Sequence, residues 1–204
     1  MVPDVGGSVG ADRSAATAAL ATAPGEPVVV ALAIGGLCAV AAVRLGAVPQ
    51  LAPYCVLAGG LVAIAVADLR VGLVPRKLLY PTLLLVATGL VCASAADGAW
   101  RPLADALIGG VGAFAVFYGL WAIYRRGLGF GDVRLAGLCG GALGWLGFAP
   151  LYLGFLASFV IGALVGIGVL VLRRTRRFPF APALAVGPMA GVLWGVWAGH
   201  AWLG

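Results

Sequence analysis

Residues 151–172 read LYLGFLASFVIGALVGIGVLVL, an apolar run without a charged side chain. An α-helix needs about 20 apolar residues to cross the hydrocarbon core of a bilayer, and this run is long enough. Further apolar runs lie on both sides of it, at about 28–43, 51–67, 78–95, 103–123, 135–149 and 183–202. The sequence therefore predicts an all-α fold, a polytopic transmembrane helix bundle of about seven spans.

The composition agrees with this class, because 63% of the residues are hydrophobic and 10% are charged. A soluble domain of similar length needs more polar surface to cover its core. Roughly six to eight spans are compatible with the sequence, since the region around Gly147–Pro150 fits either two spans or one long span with a half-helix. We expect one transmembrane domain over 27–204. The preceding residues 1–26 are expected to form a disordered cytoplasmic tail, because they lack the basic start and early apolar core of a secretory signal.

The basic residues predict how the chain is oriented. With seven spans, all of the 13 Lys and Arg residues except Arg44 and Arg101 fall on one side of the membrane. Cytoplasmic loops carry the excess of basic residues, so we expect a multi-pass protein of the bacterial inner membrane with its N-terminus in the cytoplasm. No long basic face is available to follow a phosphate backbone, which makes membrane lipid, and not nucleic acid, the expected surroundings.

Cysteine and histidine do not form a metal-binding pattern. The four cysteines lie within apolar runs without a CxxC pair, and the chain has one histidine. These residues cannot complete a Cys/His zinc site. The sequence therefore predicts neither a metal nor a cofactor.

Glycine repeats every four residues in the last two predicted spans. The repeats consist of Gly162 and Gly166, and of Gly187, Gly191, Gly195 and Gly199. Such a stripe forms a groove that a neighbouring helix backbone can approach closely. Packing within the bundle is the favoured interpretation, and a homodimer through the stripes is the alternative.

Two acidic residues, Asp68 and Asp132, lie at the predicted inner ends of spans. A carboxylate next to hydrocarbon is costly, so each is a candidate functional residue. Two carboxyl groups that face each other in a poorly solvated site cannot both ionise easily, so the pair holds one proton. Such a pair can activate water against a peptide bond. The glycines that precede Asp132 allow the backbone to turn and a substrate strand to come close.

The same residues allow other interpretations. Asp132 could cap a helix that begins at Val133, and Asp68 could pair with Arg70 or Arg134 at the membrane surface. Two membrane acids could also serve a proton-coupled small-solute transporter. A non-catalytic membrane scaffold packed through its glycines is a further alternative.

The sequence GFGD at 129–132, followed by VRLAG, resembles the GxGD motif of type IV prepilin peptidases, the intramembrane aspartic proteases that mature pilin-like proteins. Asp68 and the Val74-Pro75 pair after it are similar to the first aspartate region of that family. Residues 177–185, RFPFAPALA, are similar to the segment that enters the family's last helix. The three matches occur in the family's order.

The resemblance implies that Asp68 and Asp132 form the catalytic pair and that Gly129, Phe130 and Gly131 form the active-site loop. It also implies a substrate, a prepilin-like or pseudopilin-like protein with a short basic leader, a cleavage site commonly after glycine and an apolar helix. Cleavage would occur on the cytoplasmic side. The paired CxxC motifs of the family's methyltransferase domain do not occur here, so a peptidase without methyltransferase activity is expected.

This resemblance extends over roughly residues 50–200, and the chain departs from it at some positions. Arg76, Arg134 and Ala181 stand where the family commonly has Asn, Lys and Gly. None of these departures removes an aspartate. Arg70, Arg76 and Arg134 are candidates for contact with an acidic residue of the substrate, although a basic cytoplasmic face also accounts for them.

Overall fold

A computed structural model of the chain describes residues 26–45, 51–71, 74–123, 125, 128–173 and 181–202. Side-chain surroundings are described for fewer residues, which do not include Arg70 or residues 169–182. The predicted tail before Glu26 and the RFPF part of the family segment therefore lie outside the described residues.

The described residues form seven α-helices and no β-strand, and each helix corresponds to one of the predicted apolar runs. In chain order they are α1 (Glu26–Leu45), α2 (Leu51–Val71), α3 (Arg76–Asp97), α4 (Arg101–Ile123), α5 (Phe130–Leu146), α6 (Phe148–Arg173) and α7 (Ala181–Trp202).

Four of these helices are long and apolar enough to cross a membrane. The stretches that qualify among the described residues are Leu51–Leu69, Arg76–Asp97, Arg101–Ile123 and Phe148–Gly168. The prediction of an all-α, multi-pass membrane bundle is therefore confirmed.

The region that the sequence left open, around Gly147–Pro150, contains two helices. Gly147 separates them with φ 115° and ψ −179°, a conformation that glycine adopts and other residues avoid. The predicted boundary at Pro150 was wrong by a few residues, because Pro150 lies in the first turn of α6, where the missing N–H costs nothing. The predicted start of the preceding span at residue 135 was also wrong, since α5 begins at Phe130.

Glycine allows α4 and α5 to pack with their backbones almost in contact. A Cβ atom on Gly109 would lie 2.6 Å from the carbonyl oxygen of Gly140, and one on Gly144 would lie 2.6 Å from the carbonyl oxygen of Asp105. These are distances that real Cβ atoms do not adopt. The small residues therefore set the separation of the two helices.

The glycine stripe of the last span packs inside the chain where the structure describes it. A Cβ atom on Gly191 would lie 2.6 Å from the carbonyl oxygen of Pro150. One on Gly187 would lie 2.6 Å from the carbonyl oxygen of Gly154 and closer still to the hydroxyl of Ser158, both on α6. Gly195 and Gly199 lie outside the described side chains. For Gly187 and Gly191, the close approach expected of the stripe occurs between α6 and α7, and a homodimer stays a prediction.

Helix α5 lies at the centre of the bundle, in contact with α3, α4, α6 and α7. Its side chains Leu135 and Leu143 are fully buried, as are Leu57 and Leu61 of the neighbouring α2 and Leu184 of α7. Both helices that carry the candidate aspartates therefore belong to the packed core, while long stretches of α3, α4 and α6 face outward.

The packing of α4 on α5 can be tested with two alanine substitutions on one helix. Gly109→Ala forces a Cβ atom against the backbone of Gly140, whereas Gly112→Ala meets no atom within 4 Å. Both substitutions add the same helix propensity, so their difference reports packing alone. We expect Gly109→Ala to be less stable than Gly112→Ala by about 2 kcal/mol, measured by unfolding in detergent micelles. Equal stability of the two variants would contradict close packing of these helices.

Candidate active site

The structure places Asp68 and Asp132 near each other, although the residues are far apart in the chain. Asp68 lies in the last turn of α2 and Asp132 in the first turn of α5. Both side chains are buried, with 6% and 7% of their surface exposed. They are near enough for the charge of Asp68 to act on Asp132. The chain therefore maintains two interacting acids at the edge of an apolar core.

A buried hydrogen bond joins α2 to α5 far from the two aspartates. The hydroxyl of Tyr54 on α2 donates to the carbonyl oxygen of Ala142 on α5 at 2.6 Å. With a rise of about 1.5 Å per residue, Asp68 lies roughly 21 Å from Tyr54 along α2, and Asp132 lies roughly 15 Å from Ala142 along α5. Two antiparallel helices joined at this bond place both carboxyl groups at the same end.

A second contact joins the chain after Asp68 to the start of α5. A Cβ atom on Gly131 would lie 2.6 Å from the Cβ atom of Val74, so only glycine allows these segments to meet without a shift. Position 131 therefore requires glycine because Val74 lies so close to it. At Gly129 the backbone is extended, with φ −74°, and the sharp turn expected there does not require glycine.

The carboxyl group of Asp132 also contacts its own helix end. The N–H of Gly129 donates to Oδ2 of Asp132 at 3.3 Å, and the N–H of Asp132 donates to the carbonyl oxygen of Gly129 at 3.1 Å. The alternative of a cap for a helix that begins at Val133 was wrong in its boundary, because the helix begins at Phe130. A capping contact is nevertheless present, and a helix N-terminus favours negative charge at this position.

Aromatic rings hold Arg134 next to the aspartate site. Its guanidinium carbon lies 4.6 Å from the ring centre of Phe130 and 5.8 Å from that of Tyr80. Phe130 in turn packs edge-on against Trp121, with ring centres 5.1 Å apart. Phe130 of the predicted loop therefore links the end of α4 to the start of α5. Among the other predicted contact residues, Arg76 is exposed at the first position of α3, and the side chain of Arg70 lies outside the described set.

Sequence reasoning missed the bond that Tyr54 makes to α5, and it named Val74 without its contact partner Gly131. A tyrosine within an apolar run is a usable signal, because a buried hydroxyl needs a hydrogen-bond partner. The contact of Val74 with Gly131 has no comparable signal. Among the described residues, no group of three or more His, Cys, Asp or Glu side chains is arranged to hold a metal ion.

Comparison with known proteins gives a consistent result. The model of the type IV leader peptidase family matches residues 55–167, which include both aspartates. The chain is similar to the prepilin leader peptidase/N-methyltransferase of Aeromonas salmonicida (strain A449), with 36% identity over 146 residues, 66% of this chain and 46% of that protein. The chain is also similar to a protein of the same name from Pseudomonas putida, with 34% identity over 76% of this chain and 54% of that protein. A third protein of this name, from Bacillus subtilis (strain 168), is 32% identical over 78% of this chain and 62% of that protein. The chain spans about half the length of the first two. No solved structure matches it.

The tyrosine bond between α2 and α5 can be tested by removal of one oxygen atom. Tyr54→Phe keeps the ring but loses the hydroxyl that donates to Ala142. We expect it to lower the free energy of unfolding in micelles by about 1 kcal/mol. The control is Tyr152→Phe, because the Tyr152 side chain is 58% exposed. The interpretation fails if both variants lose the same stability.

Proposed function

Because the chain belongs to the type IV leader peptidase family, we propose that it is a membrane-embedded aspartic endopeptidase acting on Asp68 and Asp132. Its substrates would be prepilin-like or pseudopilin-like proteins, whose short basic leader it removes on the cytoplasmic side. The observation that carries the proposal is the pair of buried, interacting carboxyl groups at adjoining ends of α2 and α5.

The chemistry follows from one proton shared between two acids. The ionised carboxylate takes a proton from water, and the protonated carboxyl gives its proton to the peptide carbonyl oxygen. Attack by the water oxygen on the carbonyl carbon gives a tetrahedral gem-diol. As the C–N bond breaks, the pair gives one proton to the leaving amine and takes one back from a hydroxyl of the gem-diol, and the new carboxyl end departs with the leader. No covalent bond to the protein forms, and the pair again holds one proton.

The surroundings of the pair suit this reaction. Burial of both carboxyl groups keeps bulk water out and strengthens their interaction. The N–H of Gly129 orients Oδ2 of Asp132, and the contact of Gly131 with Val74 holds the two chain segments together. Arg134 lies two residues after Asp132, and we include it with Arg70 and Arg76 as a candidate contact for an acidic group of the substrate.

The chain is a multi-pass inner-membrane protein. The cytoplasmic position of the N-terminus is part of the proposal and rests on the distribution of basic residues. The family relationship favours a peptidase over the carrier and the scaffold, and among the described residues no specific contact favours either of those. The relatives' names also include N-methyltransferase, and the lack of that activity in this chain stays a prediction.

Replacement of either aspartate tests the proposed function. The probe is a peptide with a short basic leader, a glycine and an apolar helix of about 20 residues, presented with the full chain in lipid vesicles. We expect Asp68→Asn and Asp132→Asn each to lower the cleavage rate by about 10²-fold or more, because neither amide can exchange the shared proton. The readout is release of the leader by mass spectrometry.

The control for this experiment is Asp97→Asn, because Asp97 is exposed at the far end of α3. We expect it to cleave at the wild-type rate. Cleavage at that rate by either Asp68→Asn or Asp132→Asn would remove the corresponding aspartate from the mechanism.

The two loop glycines should differ in their tolerance of a side chain. Gly131→Ala places a Cβ atom 2.6 Å from Val74, whereas Gly129→Ala places one 3.3 Å from Oδ2 of Asp132. We expect cleavage by Gly131→Ala to fall by tenfold or more, roughly 1.4 kcal/mol in the barrier, and by Gly129→Ala to fall less. Gly131→Val and Gly129→Val should follow the same order. Val74→Gly combined with Gly131→Ala should recover activity relative to Gly131→Ala alone, and additive losses would show that this contact does not matter.

A further inference from the structure

An apolar groove of about 730 Å³ lies on the outer side of the bundle, between α3 and α4 and above α5. Its floor is made of buried side chains, including Leu79, Val86 and Leu138. Its rim is made of exposed apolar side chains, such as Leu83 and Leu107. Helices α3 and α4 make few contacts with each other, so the groove is a gap between neighbouring helices that opens sideways toward the membrane.

The groove runs along the helices and ends close to the aspartate pair. On α3 it extends from Leu79 to Val91, about 18 Å at 1.5 Å per residue, and it continues to Trp100. At its other end lies Arg134, two residues after Asp132. Of the described residues that line the groove, Arg134 alone is charged. The groove is thus apolar along its length and polar where it reaches the site.

The length of the groove indicates which apolar molecule fits it. An acyl chain occupies one leaflet, about half of the roughly 30 Å hydrocarbon core. The groove is longer than one leaflet, since its α3 wall alone extends about 18 Å. An apolar transmembrane helix is long enough to fill the groove. A polar group at one end of that helix could contact Arg134, the charged residue at the end of the groove.

We propose that this groove is the docking site for the apolar helix of the substrate. The inference rests on the proposed function and adds to it the surface that selects the substrate. The substrate helix lies against α3, α4 and α5 with one end at the level of Arg134. From there its chain leaves the helical conformation to reach the two carboxyl groups, which are buried.

Photo-crosslinking tests occupancy without any change in the reaction. A photoreactive amino acid is placed at Ala87 or Ala104, which line opposite walls of the groove. The control is Thr88, the next residue on α3, which is exposed and does not line the groove. The chain also carries Asp132→Asn so that the probe peptide stays intact. We expect peptide adducts at Ala87 and Ala104 at least tenfold above those at Thr88. Lipid adducts alone, or equal peptide adducts at all three positions, would overturn the proposal.

Bulky substitutions test whether occupancy matters for cleavage. We expect Ala87→Trp and Ala104→Trp to lower kcat/KM for the probe peptide by at least tenfold, mainly through KM, and Thr88→Trp to leave it unchanged. Micelle unfolding verifies that the variants are folded.

The two proposals fail in different ways. If the wild type leaves the probe intact, the proposed function fails, while the adducts at Ala87 still report occupancy of the groove. If the wild type cleaves the probe and both groove variants cleave it as fast as Thr88→Trp, the groove proposal fails alone.

Discussion

The arrangement of this protein depends on two carboxyl groups kept close together and away from water. Each of Asp68 and Asp132 alone is costly in an apolar core, and together they repel when both are charged. The structure tolerates them because they sit at helix ends, where one carboxyl group accepts a backbone N–H. The hydroxyl of Tyr54 and the contact of Val74 with Gly131 oppose the separation that repulsion would cause. A proton held between the two carboxyl groups would relieve this repulsion.

Glycine residues hold α5 close against α4. Gly109, Gly140 and Gly144 bring α4 and α5 so close that their backbones are in contact. Helix α5 is thereby held in the centre of the bundle, where Tyr54 of α2 also bonds to it. The same close pairing leaves α3 apart from α4, which creates the apolar groove. The close packing of α4 on α5 therefore positions the helix that carries Asp132 and also shapes the groove next to it.

Much of the site was visible before the structure, and the reasons differ from residue to residue. Asp68 and Asp132 stood out because a charged group in an apolar chain is rare and expensive. Gly131 stood out within a motif, but its reason, the proximity of Val74, required coordinates. The break at Gly147 was placed a few residues too late, because proline is the more obvious helix breaker although it is harmless in a first turn. The glycine stripe on α7 was recognised, whereas the set on α4 and α5 was not, although Gly140 and Gly144 have the same spacing of four residues.

The sequence by itself determined the class of fold and the places where the chain can cross a membrane. Both depend on the local free energy of transfer of apolar residues, which adds up along the chain and needs no knowledge of neighbours. It also determined which acidic residues lie next to apolar spans, since the free energy of burying a charge there likewise depends on the local sequence. Only the tertiary structure decided that Asp68 and Asp132 meet, that Tyr54 joins α2 to α5, and that α3 and α4 enclose a groove. These features depend on how helices distant in sequence pack against one another, and the same apolar pattern is compatible with many such packings.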